Sequence, residues 1–227
     1  MAESPDDTAG HRARLRRRLL GHGGEALLDH ELIEYLLALA IPRRDTKPLA
    51  KALLREFGGI GGLLTADAEA IARVPGMGET SAAAIKIAHA AALRLLQADV
   101  AERPVLGNWQ ALLDYLRADM AHHTIERFRV LHLNTRNMLI RDEVMSEGSI
   151  DETAVYVRQV IRRAIDFGSA AVILVHNHPS GDPSPSRADI EITRAIADAG
   201  KRLHIAVHDH LIIGLHGHVS LRAQGLI

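Results

Sequence analysis

The stretch Ala170–Val175, followed at once by His176-Asn177-His178-Pro179, constrains this chain more than any other feature. An unbroken apolar run of that length, bounded by turn residues, reads as a buried strand. Residues two apart on a strand project to the same side, so the imidazoles of His176 and His178 at its C-terminal end can converge. Pro179, Gly181 and Pro183 then force a turn. Ser184-Pro185 reads as a helix N-cap followed by proline at the first helical position, with a helix over Arg187 to Ala199. That assignment leaves Ser186 free. Ser186 and Asp189, three apart, share a helix face, although the pair also reads as a Ser-x-x-Asp capping box. A strand end facing a helix start thus brings together two histidines and a carboxylate.

The chain has 227 residues and no cysteine, which excludes disulfides and every thiolate-based metal or redox site. Any transition-metal site must use His, Asp and Glu, and 14 histidines supply them. Two His and one Asp fit Zn2+ with a fourth position open to water, the composition of a catalytic zinc site. Such a metal lowers the pKa of its bound water from about 15.7 towards 7, and a carboxylate base, usually Glu, is then required. His208-Asp209-His210 and His216-Gly217-His218 repeat the His-x-His spacing without the strand, turn and helix around it.

Two domains are expected, 1–102 helical and 103–227 α/β. In the first, helices are expected over Ala26 to Ala40 with Asp29 helping to cap it, over Pro48 to Phe57, over Asp67 to Val74 entered through Thr65 as N-cap, and over Ser81 to about Ala98. Ala101 to Asn108, with Pro104 and Gly107, reads as a linker. Beyond it come a helix over Trp109 to Met120, a strand over Arg127 to Leu133, a hairpin turn at Asn134 to Asn137, and a strand over Met138 to Val144. A helix over Thr153 to Phe167 precedes the metal-end strand, and further strands are expected at Leu203 to Val207 and Leu211 to Ile213.

With these segments in place the chain resembles a known family. HNHPSGDPSPSRAD matches the JAMM (MPN+) signature, and ERFRVLHLNTRNMLI, AAVILVHNHPSG, PSRADIEITRAI and DHLIIG closely resemble the bacterial RadC proteins. The likeness extends upstream through VPGMGETSAAAIKIA. It implies a mixed-sheet JAMM/MPN-type metallopeptidase fold with zinc held by His176, His178 and Asp189, after a small all-α domain. Ser186 matches the serine that helps stabilise the tetrahedral oxyanion. The catalytic Glu of the pattern lies just before the first strand, where Glu126 stands, with Glu143 and Glu147 as competitors beyond the hairpin. One departure is present: RadC proteins usually carry His-Pro-Arg-Glu-Val ahead of the metal strand, and here Tyr156-Val157-Arg158-Gln159-Val160 stands in its place.

Val74-Pro75-Gly76-Met77-Gly78, followed by Thr80, Ala83 and Ile85, resembles a helix-hairpin-helix motif. Its glycines permit a tight turn whose amides could meet a DNA phosphate without sequence preference, with Lys86 adding a charge. Arg12, Arg14, Arg16, Arg17 and Arg18 read as a solvated helix face or a tail. A net charge of −1 excludes a histone-like character, and 3% aromatic residues disfavour base stacking on single strands. With neither an apolar signal core nor an apolar stretch of membrane-spanning length, a soluble cytoplasmic protein is expected. The expected function is a zinc-dependent peptidase or isopeptidase acting on a protein or peptide. The alternative is a DNA-binding accessory protein with a non-catalytic metal site, and a nuclease ranks third.

Overall fold

A computed structural model describes residues 5–148 and 156–227, with side chains from residue 10. The chain forms two compact units, Met1–Ala92 and Leu93–Ile227. No helix among the described residues is long and apolar enough to cross a membrane.

The first unit holds α1 (Pro5–His22), α2 (Asp29–Ala40), α3 (Lys47–Glu56), α4 (Ile60–Thr65), α5 (Ala68–Arg73) and the start of α6 (Glu79–Ala101). Ile33, Leu37, Leu53, Leu63, Ile71 and Ile85 form its buried core. Two expected caps are corrected. Asp29 is the first residue of α2, and the Leu28 N–H that precedes it donates to Glu31 Oε2 at 3.0 Å. Thr65 ends α4, where its hydroxyl donates back to Gly61 O at 2.8 Å, so it caps nothing ahead of α5. Helix α4 itself was masked by Gly61 and Gly62, poor helix formers; burial of Leu63 holds it. In the arginine cluster Arg14, Arg16 and Arg17 are exposed, as a solvated face requires, whereas Arg18 makes a two-pronged bond to Glu31 (2.8 and 2.9 Å) and Arg12 reaches Ile41 O and Arg44 O.

The second unit begins inside α6, ahead of the linker read at Ala101–Asn108, because Leu93, Leu96 and Val100 pack with its core. It continues with α7 (Trp109–Met120), β1 (Glu126–Leu133), β2 (Leu139–Gly148), α8 (Val157–Asp166), β3 (Ala171–Asn177), α9 (Arg187–Lys201), β4 (Ala206–Gly214) and β5 (Gly217–Ser220). Part of the expected start of α8, from Thr153, lies outside the described residues. The strands form one mixed sheet in the order β2-β1-β3-β4-β5. β1 is antiparallel to β2 and β3, β3 is parallel to β4, and β5 is antiparallel to β4.

Alternation along β3 explains the layers. Ala171, Ile173 and Val175 join α7 and the end of α6 in one core, while Val172 and Leu174 join α8 and α9 in the other. With both faces covered, β3 must be apolar throughout. The same parity turns His176 towards α9. The two strands expected at Leu203–Val207 and Leu211–Ile213 are corrected to one, β4. Its register shifts where Val172↔Val207 gives way to Ile173↔Asp209, so the polar His208-Asp209-His210 lies within the strand. Asp209 is satisfied there by Ser220 Oγ (2.5 Å), the Arg222 N–H (3.1 Å) and the His210 N–H (2.7 Å).

His132 on β1 is fully buried, its Nδ1 2.9 Å from Ser169 Oγ, and burial pulls its pKa down to about 4 against the raising effect of Glu143. A histidine held below its unfolded value of about 6.5 stabilises the fold above that pH, and the contribution is lost as pH falls towards 4. Urea unfolding of the metal-free protein should therefore lose on the order of 2 kcal/mol from this residue between pH 7.5 and 5. His132→Gln should reduce the pH slope by that amount; an unchanged slope contradicts the assignment.

Candidate metal centre

The start of β1, the end of β3 and the start of α9 meet in space. β1 runs antiparallel to β3 with Phe128 opposite His176, so the start of β1 reaches the end of β3. The His178 N–H donates to Ile213 O at 2.9 Å, and the Gly181 N–H donates to His178 O at 2.9 Å, closing a turn in which Gly181 has φ +85°. A Cβ on Gly214 would lie 2.4 Å from Gly181 O, so glycine alone lets this turn close against β4. Helix α9 then presents Asp189 in its first turn.

His176 Nε2 lies 2.9 Å from His178 Nε2 and 3.3 Å from Asp189 Oδ1, while His178 Nε2 lies 3.7 Å from Asp189 Oδ2. Tetrahedral zinc with bonds of about 2.0–2.1 Å separates its donors by about 3.3 Å. The three distances bracket that figure, and these residues form a group able to hold a metal ion.

The direction of the surrounding hydrogen bonds is fixed by one atom that has no proton. Thr193 Oγ1 is 2.5 Å from Asp189 O, so the threonine hydroxyl must be the donor. Thr193 Oγ1 therefore accepts from His210 Nδ1–H at 2.5 Å. His210 is neutral, burial holding its pKa well below the usual range. Its Nε2 then accepts from His176 Nδ1–H at 2.8 Å. His176 is buried and also neutral, its pKa pulled down to about 4 by burial. Its Nε2 is left as a bare lone pair directed at the cluster. His178 Nδ1–H donates to Asp182 O at 2.8 Å, so its Nε2 also turns inward.

Two imidazole nitrogens and a carboxylate thus converge, an arrangement that a divalent cation would satisfy and that a protonated His178 satisfies without one by donating from Nε2. The same field raises the His178 pKa, chiefly through its bond to Asp189. Burial pushes Asp189 up, but His178, His176 and the Ser186 N–H outweigh it and hold this carboxyl below the usual range. The donor set fits a resident divalent cation.

Of the three glutamates, Glu126 lines the same cleft of about 440 Å3 as His176, His178 and Asp189. Burial raises its pKa, with Asp189 adding to the rise and His178 opposing it. Glu143 is clamped by Arg163 at 2.5 and 2.9 Å, and Glu147 pairs with Arg127 at 2.8 Å; neither lines that cleft.

Ser184-Pro185 does not cap α9, which is a correction. Ser184 Oγ bonds Asp182 Oδ1 at 2.7 Å, whereas Ser186 is the N-cap. Ser186 Oγ accepts the Asp189 N–H at 3.2 Å, and Asp189 Oδ2 accepts the Ser186 N–H at 2.7 Å. Asp189 supplies the reciprocal carboxylate that Ser184 lacks, since Arg187 stands three residues after Ser184. Ser186 is thus committed to the cap through a lone pair, and its hydroxyl, like its backbone N–H, helps to hold the Asp189 carboxyl ionised.

His210, Thr193 and Asn177 were missed by the sequence reading. The signal for His210 was an imidazole running directly into the apolar Leu211-Ile212-Ile213, which a buried strand tolerates only with partners.

In the first unit, Gly76 has φ +94° and the α5–α6 hairpin closes through Met77 N–H to Val74 O at 2.9 Å. The Gly78 N–H donates to Ser81 Oγ at 2.9 Å, Arg44 donates to Gly76 O at 3.1 Å, and Lys86 Nζ donates to Leu64 O and Ala66 O at 2.9 Å each.

A family model described as RadC-like JAB domain matches residues 106–226, more than half of the chain, and one described as UPF0758 N-terminal matches residues 8–83. A helical part followed by a five-stranded mixed sheet with helices is the α/β arrangement of a JAB/MPN-type domain.

Nitrogen-15 NMR of the metal-free protein at pH 7 should find both His176 and His210 as neutral Nδ1–H tautomers. An Nε2–H signal from either would reverse the chain of donors and contradict the assignment.

Proposed function

The chain belongs to the RadC family, and on that premise we propose that it is a zinc-dependent amide hydrolase of peptidase or isopeptidase type. The observation that carries the reading is the convergence of His176 Nε2, His178 Nε2 and the Asp189 carboxylate, close enough together to hold one metal ion. His176, His178 and Asp189 are the metal ligands. Zn2+ held there supplies a Lewis acid and lowers the pKa of a coordinated water.

The remaining steps belong to the chain's own residues. Glu126 stands in the cleft as the general base, and its raised pKa suits it to take a proton and return it to the leaving nitrogen. The Ser186 hydroxyl donates to the carbonyl oxygen as negative charge develops there. The capping bonds of Ser186 also fix the Asp189 carboxylate, so the donor to the substrate and the ligand are set by one local motif. Asp182 O holds the His178 ring in place through Nδ1. Phe128, Pro179, Ala188 and Ile192 give the cleft apolar wall against which a peptide's side chains can pack.

Purified protein should carry roughly one zinc per chain by elemental mass spectrometry, and His178→Ala should lose it. Incubated with a proteome-derived peptide library, the zinc-loaded protein should generate new termini. Glu126→Gln should keep the metal and abolish that cleavage. The rate should fall on acidification through a pKa above the ordinary glutamate value, because Glu126 must be ionised to accept a proton. Full zinc occupancy in His178→Ala, or cleavage surviving in Glu126→Gln, would overturn the reading.

A further inference from the structure

We propose that Asn177, the residue between the two histidines, is the positioning residue for Glu126. The inference rests on the reading of Glu126 as the base and adds what holds it in place. Strand parity sends His176 and His178 towards α9 and sends the Asn177 side chain the other way. There it meets the entry to β1. The β1–β3 ladder runs from Leu133↔Ala171 to Phe128↔His176. Beyond that pair the Asn177 carboxamide continues the pairing. Its Oδ1 accepts the Arg127 N–H at 2.9 Å, and its Nδ2 donates to Ile125 O at 3.1 Å and towards His123 O at 3.5 Å. The two shorter bonds grip the backbone on either side of Glu126.

Asn177 is only 1% exposed, so its carboxamide is buried even though the backbone that it grips is partly exposed. Leaving such groups unpaired is costly, which makes the grip stiff. The geometry asks for a donor and an acceptor at the tip of one short side chain. Asparagine supplies both; aspartate supplies only the acceptor and would set a lone pair against Ile125 O. A displacement of about 1 Å in a reacting group is enough to cost on the order of 100-fold in rate. One three-residue segment therefore sets two metal-binding imidazoles and, through Asn177, the place of the base relative to them. The start of β1 has a second anchor, since the Arg127 guanidinium bonds His123 Nε2 at 2.7 Å and Glu147 at 2.8 Å. Cutting the Asn177 grip should accordingly loosen Glu126 without unfolding the strand.

The test uses Asn177→Ala and Asn177→Asp in the full chain, with zinc as the metal probe. Asn177→Ala should keep one zinc per chain, exchange its Arg127 amide roughly tenfold faster and leave the amides of Val130 to Leu133 unchanged. Asn177→Asp retains the acceptor, so its Arg127 amide should stay protected while the Ile125 side of the grip is lost. Both should cleave the peptide library on the order of 10–100-fold more slowly than wild type. Unchanged Arg127 exchange in Asn177→Ala overturns the proposal, and so does loss of zinc from it. Full cleavage by Asn177→Asp overturns it as well, and that variant decides the matter should Asn177→Ala fail to fold. If the wild type cleaves no peptide, the hydrolase reading fails, and Arg127 exchange still decides whether Asn177 holds the backbone around Glu126.

Discussion

A carbonyl oxygen carries no proton, so the 2.5 Å contact between Thr193 Oγ1 and Asp189 O sets the direction of every hydrogen bond behind it. The threonine hydroxyl donates to the backbone, His210 donates to the threonine, and His176 donates to His210. At the end of this chain His176 Nε2 has its lone pair free. The polarity begins and ends at one helical turn, because Asp189 contributes both the carbonyl that starts the relay and the carboxylate that meets its outcome. Outer partners of this kind fix the tautomer and orientation of a ligating imidazole. Here they are buried, and burial keeps both histidines neutral, the state in which an imidazole can bind a metal.

The sheet makes this possible by bringing remote segments to one place. β3 ends where antiparallel β1 begins, and α9 follows β3 on the crossover to parallel β4. Glu126, His176, Asp189 and His210 thus converge at the C-terminal end of β3, a position where α/β sheets commonly place ligands. The apolar cores on both faces exclude water from the relay, so each polar group inside must find its partner in the protein. Phe128 packs against both His176 and His210, with ring centroids 6.5 and 5.8 Å away, and joins this shielding to the start of β1.

Much of this could be read from residues alone, for identifiable reasons. The apolar run before His176 had no other plausible fate than a buried strand, and Pro179 and Gly181 marked the turn beyond it. The helix start was misplaced because Ser184 and Ser186 are both acceptable N-caps; Asp189, already assigned to a metal, also completes the box that selects Ser186. Periodicity could not find α4, whose glycines lack helix propensity and whose stability comes from burying Leu63. His210 was hidden in a His-x-His repeat resembling a surface pair, and β4 was divided at the same polar interruption. Asn177 carried no signal of its own, since its partners are backbone atoms some fifty residues away, reached only when β1 and β3 pair. Local sequence thus reveals groups that act through a neighbour, and tertiary pairing reveals those that act across the sheet.

His176, His178 and Asp189 leave between them one point in space that could hold a divalent cation. Anomalous X-ray diffraction at the zinc absorption edge, from crystals of zinc-loaded protein, tests it most directly. The account predicts one strong peak within about 2.0–2.2 Å of His176 Nε2, His178 Nε2 and an Asp189 oxygen. A peak lying elsewhere, for instance at His216 or His218, with none at this triad would contradict it.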